Sequence, residues 1–203
     1  MTDFSSKPTL TGDNVVLRPV TEEDAAVFAE ILTDPEVLTL TGTPEDAPPL
    51  SPAYLRSWYG SRGDHPDRLD LALVDRTSGE VVGELVLNEW DEPNRSCNFR
   101  TLIGPRGRGR GLGTEAIRLL LAHAFEHLHL NRVSLGVFAF NPRAIRVYEK
   151  VGFVQEGVER EALLHRGRWI DSLSMSVLAR EWAVHRGHPE TAHGPGLTGI
   201  HTP

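Results

Sequence analysis

The sequence predicts a mixed α/β fold, a central and mostly antiparallel sheet carrying helices on both faces. Three observations lead there. Apolar extended runs at 69–74, 80–87 and 96–103 follow one another across short polar turns, and strands joined so tightly must pair antiparallel. A run of five glycines and three arginines, Gly104 to Gly113, then stands between the strand-like stretch 99–103 and a strongly apolar helical stretch, 112–130. After it the periodicities read helix, strand, helix and a closing pair of strands, giving β-α-α, an antiparallel meander and α-β-α-β-β in all.

The elements follow in order. Residues 14–20 form a short apolar strand ended by Pro19 and a turn. Thr21 is a helix N-cap followed by the acidic first turn Glu22, Glu23 and Asp24, with Ala25, Phe28, Ile31 and Leu32 as the buried stripe. Residues 41–52, rich in Pro, Thr and acids, read as a loop. Ser51-Pro52 opens a helix to Ser61 bearing Tyr54, Leu55, Trp58 and Tyr59, an aromatic set that either walls an acceptor site or packs on the sheet. The turn 75–79 joins the first two meander strands, and Pro93-Asn94 marks the next turn. The helix 112–130 buries Ile117, Leu120, Leu121, Ala124, Phe125 and Leu128 and leads into a strand at 132–140. Asn141-Pro142 is an N-cap with Pro at the first helical position, and Gly152 is placed as the residue just past that helix. Residues 153–156 and 172–178 make the closing hairpin across a polar connection.

Composition sets the bounds. A chain of 203 residues, 39% hydrophobic and 24% charged, suits one domain, placed at 13–183 after a short extension at 1–12. The aperiodic His, Pro, Gly and Thr content over 184–203 reads as a disordered tail. No apolar run approaches the roughly 20 residues that cross a bilayer, and the N-terminus lacks the basic start and apolar core of a signal peptide. Cys97 is the single cysteine, so neither an internal disulfide nor a cysteine metal cluster is expected, and the cytoplasm is the expected compartment. A net charge of −7 disfavours a nucleic-acid partner, while an acidic body with one basic loop suits an anionic cofactor and a cationic amine.

The glycine-arginine stretch carries the chemistry. A loop with few Cβ atoms brings backbone N–H groups close to a ligand, and feeding into a helix adds the positive end of the macrodipole. Arg106, Arg108 and Arg110 add charge and bidentate geometry, so the stretch reads as a pyrophosphate cradle. No Lys-Ser or Lys-Thr follows, which excludes a P-loop. The glycines run G-x-G-x-G-x-G without an acidic residue about 20 positions on, which excludes a Rossmann fingerprint. An RNA-binding arginine-glycine tract would be long and disordered, whereas this one is short and wedged between ordered elements.

Arg108-x-x-Gly111-x-Gly113 resembles the acetyl-coenzyme A signature of the GNAT superfamily of N-acetyltransferases. Asn141, Ala144, Tyr148, Gly152 and Phe153 are spaced as in the family's second block, N-x-x-A-x-x-x-Y-x-x-x-G-F. The resemblance runs from about Val15 to Trp182, and the opening, with Leu17-Arg18-Pro19 and Asp34-Pro35-Glu36-Val37, is similar to the ribosomal-protein N-terminal acetyltransferase branch. It implies acetyl-coenzyme A as cosubstrate, with no metal, and a primary amine as acceptor, either a protein N-terminus or a small molecule. It also implies that the strands 96–103 and 132–140 splay apart to admit the pantetheine arm. The backbone of Arg108, Gly109, Arg110, Gly111, Leu112, Gly113 and Thr114 would then bind the pyrophosphate, and Thr101, Leu102 and Ile103 the pantetheine amides. Asn141 would bind the cofactor as well as cap its helix. Tyr148 would touch the cofactor and act as general acid, since a phenol of pKa about 10 can protonate a leaving thiolate of pKa about 8.5.

A base for the incoming ammonium is sought among Glu84, Glu89, Asp91 and Glu115. Glu84, alone on a strand proper, is the candidate, with a water chain as the alternative; the strand 96–103 holds no glutamate, Asn98 and Arg100 taking its polar positions. His123 and His127 have i, i+4 spacing without further metal ligands, and a solvated helix face is the expectation. Direct acetyl transfer by a monomer or homodimer is therefore expected, without membrane or nucleic-acid partners. A non-catalytic acyl-coenzyme A sensor of the same fold is the alternative.

Overall fold

The computed structural model describes residues 4–44 and 46–186, so the reading of the tail falls mostly outside the described residues. Among the described residues eight strands form one sheet: β1 (Leu10–Thr11), β2 (Val15–Pro19), β3 (Leu69–Asp75), β4 (Val81–Asp91), β5 (Ser96–Ile103), β6 (Arg132–Phe138), β7 (Val154–His165) and β8 (Arg168–Leu178), in the spatial order β1-β2-β3-β4-β5-β6-β8-β7. Every neighbouring pair is antiparallel except β5 and β6. That parallel pair is short. It runs only from Ser96 opposite Arg132 to Asn98 opposite Ser134. Beyond Asn98 the outer edge of β5 has no strand partner, while β6 continues along β8 as far as Phe138 opposite Ser172. A cleft opens where the two strands part.

Two apolar layers hold the helices on opposite faces. On one, α4 (Leu112–Ala122), α5 (Pro142–Lys150) and α6 (Ala179–His185) cover Leu71, Leu73, Leu85, Leu87, Phe99, Val133 and Val177. On the other, α1 (Ala25–Leu32), α2 (Pro35–Thr41) and α3 (Pro52–Ser61) bring Phe28, Ile31, Val37, Leu55 and Tyr59 onto Ala72 and Leu102. The stripe of α1 is a consequence of its spacing, and Phe28 stacks on Tyr59 with ring centroids 4.4 Å apart.

Several elements differ from the sequence reading. The expected helix 112–130 is α-helical only to Ala122 and then widens into a π-helical turn, His123–His127, before His129 adopts a φ of 51°. The residues expected to be buried there are buried all the same. α2 and α6 were not anticipated, because helices of seven residues are too short to develop an apolar stripe. The signals for α2 lay in its ends: Asp34 accepts the Val37 N–H at 3.0 Å, Pro35 follows, and Gly42 closes it with a φ of 69°. The "polar connection" of the closing hairpin is itself strand: β7 and β8 meet at the tight turn Arg166-Gly167, both residues with positive φ. β7 is an edge strand with both faces largely in solvent, which is why it carries no alternating pattern. Among the described residues no helix is long and apolar enough to cross a membrane.

Candidate active site

The cleft between β5 and β6 has a volume of about 540 Å³. One wall is β5 from Asn98 to Ile103, so Thr101, Leu102 and Ile103 all line it. The opposite wall is Gly136, Val137 and Phe138 of β6 with Asn141, Ala144, Val147 and Tyr148 of α5. Arg108, Gly109, Gly111, Gly113 and Thr114 close one end, and Val37, Leu40 and Thr41 of α2 lie across it.

The loop forms because its glycines go where other residues would be strained. Gly109 and Gly111 have φ of 71° and 79°, and an added Cβ at either would meet open space rather than protein. Gly111 caps α4, so the N–H groups of Leu112, Gly113 and Thr114 have no intrahelical carbonyl to bond and face the loop end of the cleft. Leu112 itself is buried in the core, contributing only its backbone there.

The arginine side chains are engaged within the protein. Each of the three is tied to carboxylates of the protein, a pairing their spacing did not announce. Arg106 reaches Glu80 at 3.0 Å and Glu30 at 3.8 Å. Arg110 turns away from the cleft to Asp75 at 2.6 Å. Arg108 donates Nε to the Ile103 carbonyl at 3.0 Å, Nη2 to Asp34 at 2.8 Å and Nη1 to Glu36 at 2.5 Å. The arginines thus brace the loop through carboxylates of the protein.

Tyr148 is buried on α5, its ring edge-on to Phe99 at 6.2 Å and close to Phe153 at 5.7 Å. Burial pushes its phenol up to about 12, so the hydroxyl keeps its proton throughout the neutral range. Asn141 accepts the Ala144 N–H at 3.1 Å through Oδ1, the cap expected from its position, and still borders the cleft.

Glu84 stands one row behind the cleft wall. It lies on β4 directly opposite Leu102, and the carbonyl of Glu84 accepts the Thr101 hydroxyl at 3.0 Å. Burial raises its carboxyl to about 7, reinforced by the neighbouring charge of Asp70 and opposed by Arg100, by hydrogen bonding with Tyr59 and by Arg68. The other acidic candidates are engaged elsewhere. Glu115 accepts the Asn14 N–H at 2.8 Å and its side-chain amide at 2.9 Å, pinning α4 to the start of β2. Asp91 holds the Asn94 side-chain amide at 2.7 Å within the turn after β4, and Glu89 sits at a bulge with a φ of 55°. None of the three borders the cleft.

The aromatic set of α3 does not wall the cleft. Tyr54 and Trp58 face solvent, Arg62 lies over the Trp58 ring at 3.9 Å, and Tyr59 packs inward beside Glu84. His123 and His127 stack with ring centroids 5.4 Å apart on the far side of α4. Cys97 is buried, its thiol pushed up to about 12. The α2 residues Val37 and Leu40, which line the cleft, and Asp34 and Glu36, which hold Arg108, were missed, because nothing in local spacing says that α2 crosses a cleft built 60 residues downstream.

Comparison with known proteins agrees with this geometry. The Acetyltransferase (GNAT) domain family matches residues 14–154. The N-acetyltransferase YokL of Bacillus subtilis is 25% identical over 177 residues, 87% of this chain and 97% of its own. The L-amino acid N-acetyltransferase AaaT of Escherichia coli is 29% identical over 168 residues, 80% of this chain and 96% of its own. The crystal structure of spermidine N-acetyltransferase from Vibrio cholerae in complex with CoA and spermine has a TM-score of 0.75 at 24% identity, over 85% of this chain and 99% of that one, a likeness of fold. A chain with this cleft, this loop and a family match over more than half its length belongs to the GNAT family, as an acetyl-coenzyme A-dependent N-acetyltransferase.

Proposed function

We propose that the protein transfers an acetyl group directly to a primary amine, with Glu84 as the base and Tyr148 as the acid. The observation that carries this reading is the placement of both groups about one parted pair of strands, a carboxyl near 7 behind one wall and a phenol near 12 on the other. Acetyl-coenzyme A supplies the activated acetyl thioester. The free N–H groups of Leu112, Gly113 and Thr114, with the backbone of Arg108 to Gly111, bind the pyrophosphate. The unpaired edge of β5 over Thr101, Leu102 and Ile103 takes the pantetheine amides as a strand would be taken. Asn141, which lines the same cleft, would hydrogen-bond the cofactor through its side-chain amide.

Glu84 removes the ammonium proton, directly or through a water beside Leu102. The freed nitrogen attacks the thioester carbonyl carbon and the C–N bond forms; the C–S bond breaks as Tyr148 gives its proton to the departing sulfur, and the second proton of the attacking nitrogen passes to water, from which the Tyr148 phenolate is reprotonated. A carboxyl near 7 suits the first task because it is both substantially ionised and still basic at neutral pH. Both N-terminal peptides and small amines fit this chemistry, and relatives include an L-amino acid N-acetyltransferase and spermidine N-acetyltransferases.

The test is thiol release from acetyl-coenzyme A across panels of N-terminal peptides and small amines. Tyr148→Phe and Glu84→Gln are each expected to lower kcat about 10²- to 10⁴-fold while retaining cofactor affinity. Cofactor binding without turnover on either panel would instead favour a sensor.

A further inference from the structure

The cleft wall is one-sided in charge. Among the described residues that line it, Arg100, Arg108 and Arg143 are charged and none is acidic. Two of the three are already satisfied: Arg108 by Asp34 and Glu36, and Arg143 by the other oxygen of Glu36 at 2.7 Å. Arg100 is different. It is exposed in the middle of β5 and makes no hydrogen bond or ion pair with any described residue.

Its position is specific. Arg100 and Leu102 lie two residues apart on one strand and so share a face of the sheet. Glu84 is directly opposite Leu102, which makes Arg100 its diagonal neighbour, roughly 7–8 Å away and within reach of a long side chain. The pull of Arg100 on the Glu84 carboxyl is the electrostatic trace of that proximity. Beyond them the cleft is closed by the apolar side chains of Val37, Leu40 and Phe138.

Resting on Glu84 as the base, we propose that the acceptor is a small amine that carries its own carboxylate, an α-amino acid with an apolar side chain, and that Arg100 binds that carboxylate. A guanidinium offers a planar fork that a carboxylate meets with two parallel hydrogen bonds. In an α-amino acid one carbon separates the ammonium from the carboxylate, so anchoring the second on Arg100 delivers the first to the diagonal Glu84. The side chain then lies against Val37, Leu40 and Phe138. A polyamine would bring several ammonium groups beside Arg100, whose charge no carboxylate in the cleft lining offsets, a like-charge arrangement. A protein N-terminus has its first carboxyl in a peptide bond and leaves Arg100 without a counter-ion.

The experiment compares initial rates of thiol release with L-leucine, L-leucinamide, isoamylamine, a leucine-initiated tetrapeptide and spermidine. The expected result is a kcat/KM for leucine about ten- to hundredfold above that for leucinamide. Arg100→Gln erases this ratio, and Arg100→Lys, which keeps the charge but not the fork, restores part of it. Arg100→Gln also moves the acidic limb of the leucine profile to higher pH, because the charge that holds the Glu84 carboxyl down is gone. Equal or better turnover with leucinamide, isoamylamine, the peptide or spermidine overturns the inference, as does a ratio that survives Arg100→Gln. Tyr148→Phe and Glu84→Gln, assayed on whichever amine is consumed, report on the catalytic pair separately. If they abolish turnover while leucine is not preferred, the pair stands and the acceptor assignment falls.

Discussion

Asp34 serves two partners at once: one carboxylate oxygen accepts the Val37 N–H at 3.0 Å, capping α2, and also accepts Arg108 Nη2 at 2.8 Å from the glycine loop. Both side chains are largely shielded, with 14% of Arg108 and 19% of Asp34 exposed. The segment that crosses the cleft is thereby locked to the loop proposed to hold the pyrophosphate. Glu36, two residues along, extends the lock to Arg143 on α5.

This tie has a measurable consequence. Arg108→Ala is expected to lower unfolding free energy by about 2 kcal/mol, since it strips a charged donor from Asp34, Glu36 and the Ile103 carbonyl together. Asp34→Asn, which can keep the cap while weakening the ion pair, should cost less than Asp34→Ala, which loses both. Urea midpoints rank the three. Acetyl-coenzyme A affinity should fall in all of them, because the loop loses its brace; an Arg108→Ala protein with unchanged midpoint and affinity would show that the tie is incidental.

Glu84 makes activity and stability move oppositely with pH. Its carboxyl, raised to about 7, must ionise to act as base, so kcat/KM should rise through an acidic limb near pH 7. For stability, the folded value lies above the unfolded one. The contribution is full below the unfolded carboxylate range and is lost as pH rises through about 7. Glu84→Gln is therefore expected to be inactive yet more stable than the parent at pH 8, by about 2 kcal/mol after allowing for partial solvent screening. Tyr59→Phe, which removes a hydrogen bond that lowers the Glu84 carboxyl, should shift the activity limb to higher pH. Paired rate and unfolding profiles check both signs, and a limb that stays in the ordinary carboxylate range would remove Glu84 from the mechanism.

His123 sets an acid limit on the fold. Its Nε2 is buried without a hydrogen-bond partner among the described residues, and burial together with His127 lowers the imidazole below its ordinary range. A histidine held neutral in the fold contributes stability that is present above the unfolded value, about 6.5, and lost as pH falls through the folded one. His123→Leu should consequently flatten the loss of stability between pH 7 and 5, and it also removes an unsatisfied polar atom. Thermal unfolding at the two pH values reads this directly; equal slopes for variant and parent would place the acid sensitivity elsewhere.

What was legible in the sequence divides along a physical line. The meander, the glycine loop and the Asn141 cap announce themselves through local rules: period, turn chemistry and cap residues, whereas Tyr148 was singled out only through the family's motif. Glu84 was picked as a candidate from its strand position, but its environment was not legible, because Tyr59, Asp70 and Arg100 reach it from three different elements. The partners of the loop arginines were illegible for the same reason. Nothing near Arg110 in sequence indicates that Asp75, 35 residues earlier, will take its charge. α2 combines both difficulties, being too short for periodicity and important only for what it crosses. The cleft itself is a property of pairing: it exists because β5 and β6 share only three residue pairs, and no single strand encodes where a partner leaves.

Gly111 tests whether the loop's geometry or its charge matters to the ligand. It caps α4 with a φ of 79° and no protein atom within 4 Å of an added Cβ. Gly111→Ala therefore meets no clash, and its cost comes from holding an L-residue in the left-handed region, about 1–2 kcal/mol. If the backbone N–H groups beyond it bind pyrophosphate, the added methyl also stands in the space where phosphate must approach. Acetyl-coenzyme A affinity should then fall by more than the stability loss accounts for, and free pantetheine, which lacks the pyrophosphate, should bind the variant and the parent alike. Arg110→Gln removes a cation that faces Asp75 rather than the cleft, and it should leave affinity nearly intact. The opposite ranking, with Arg110→Gln more damaging than Gly111→Ala, would return the guanidinium groups to the role that their ion pairs argue against.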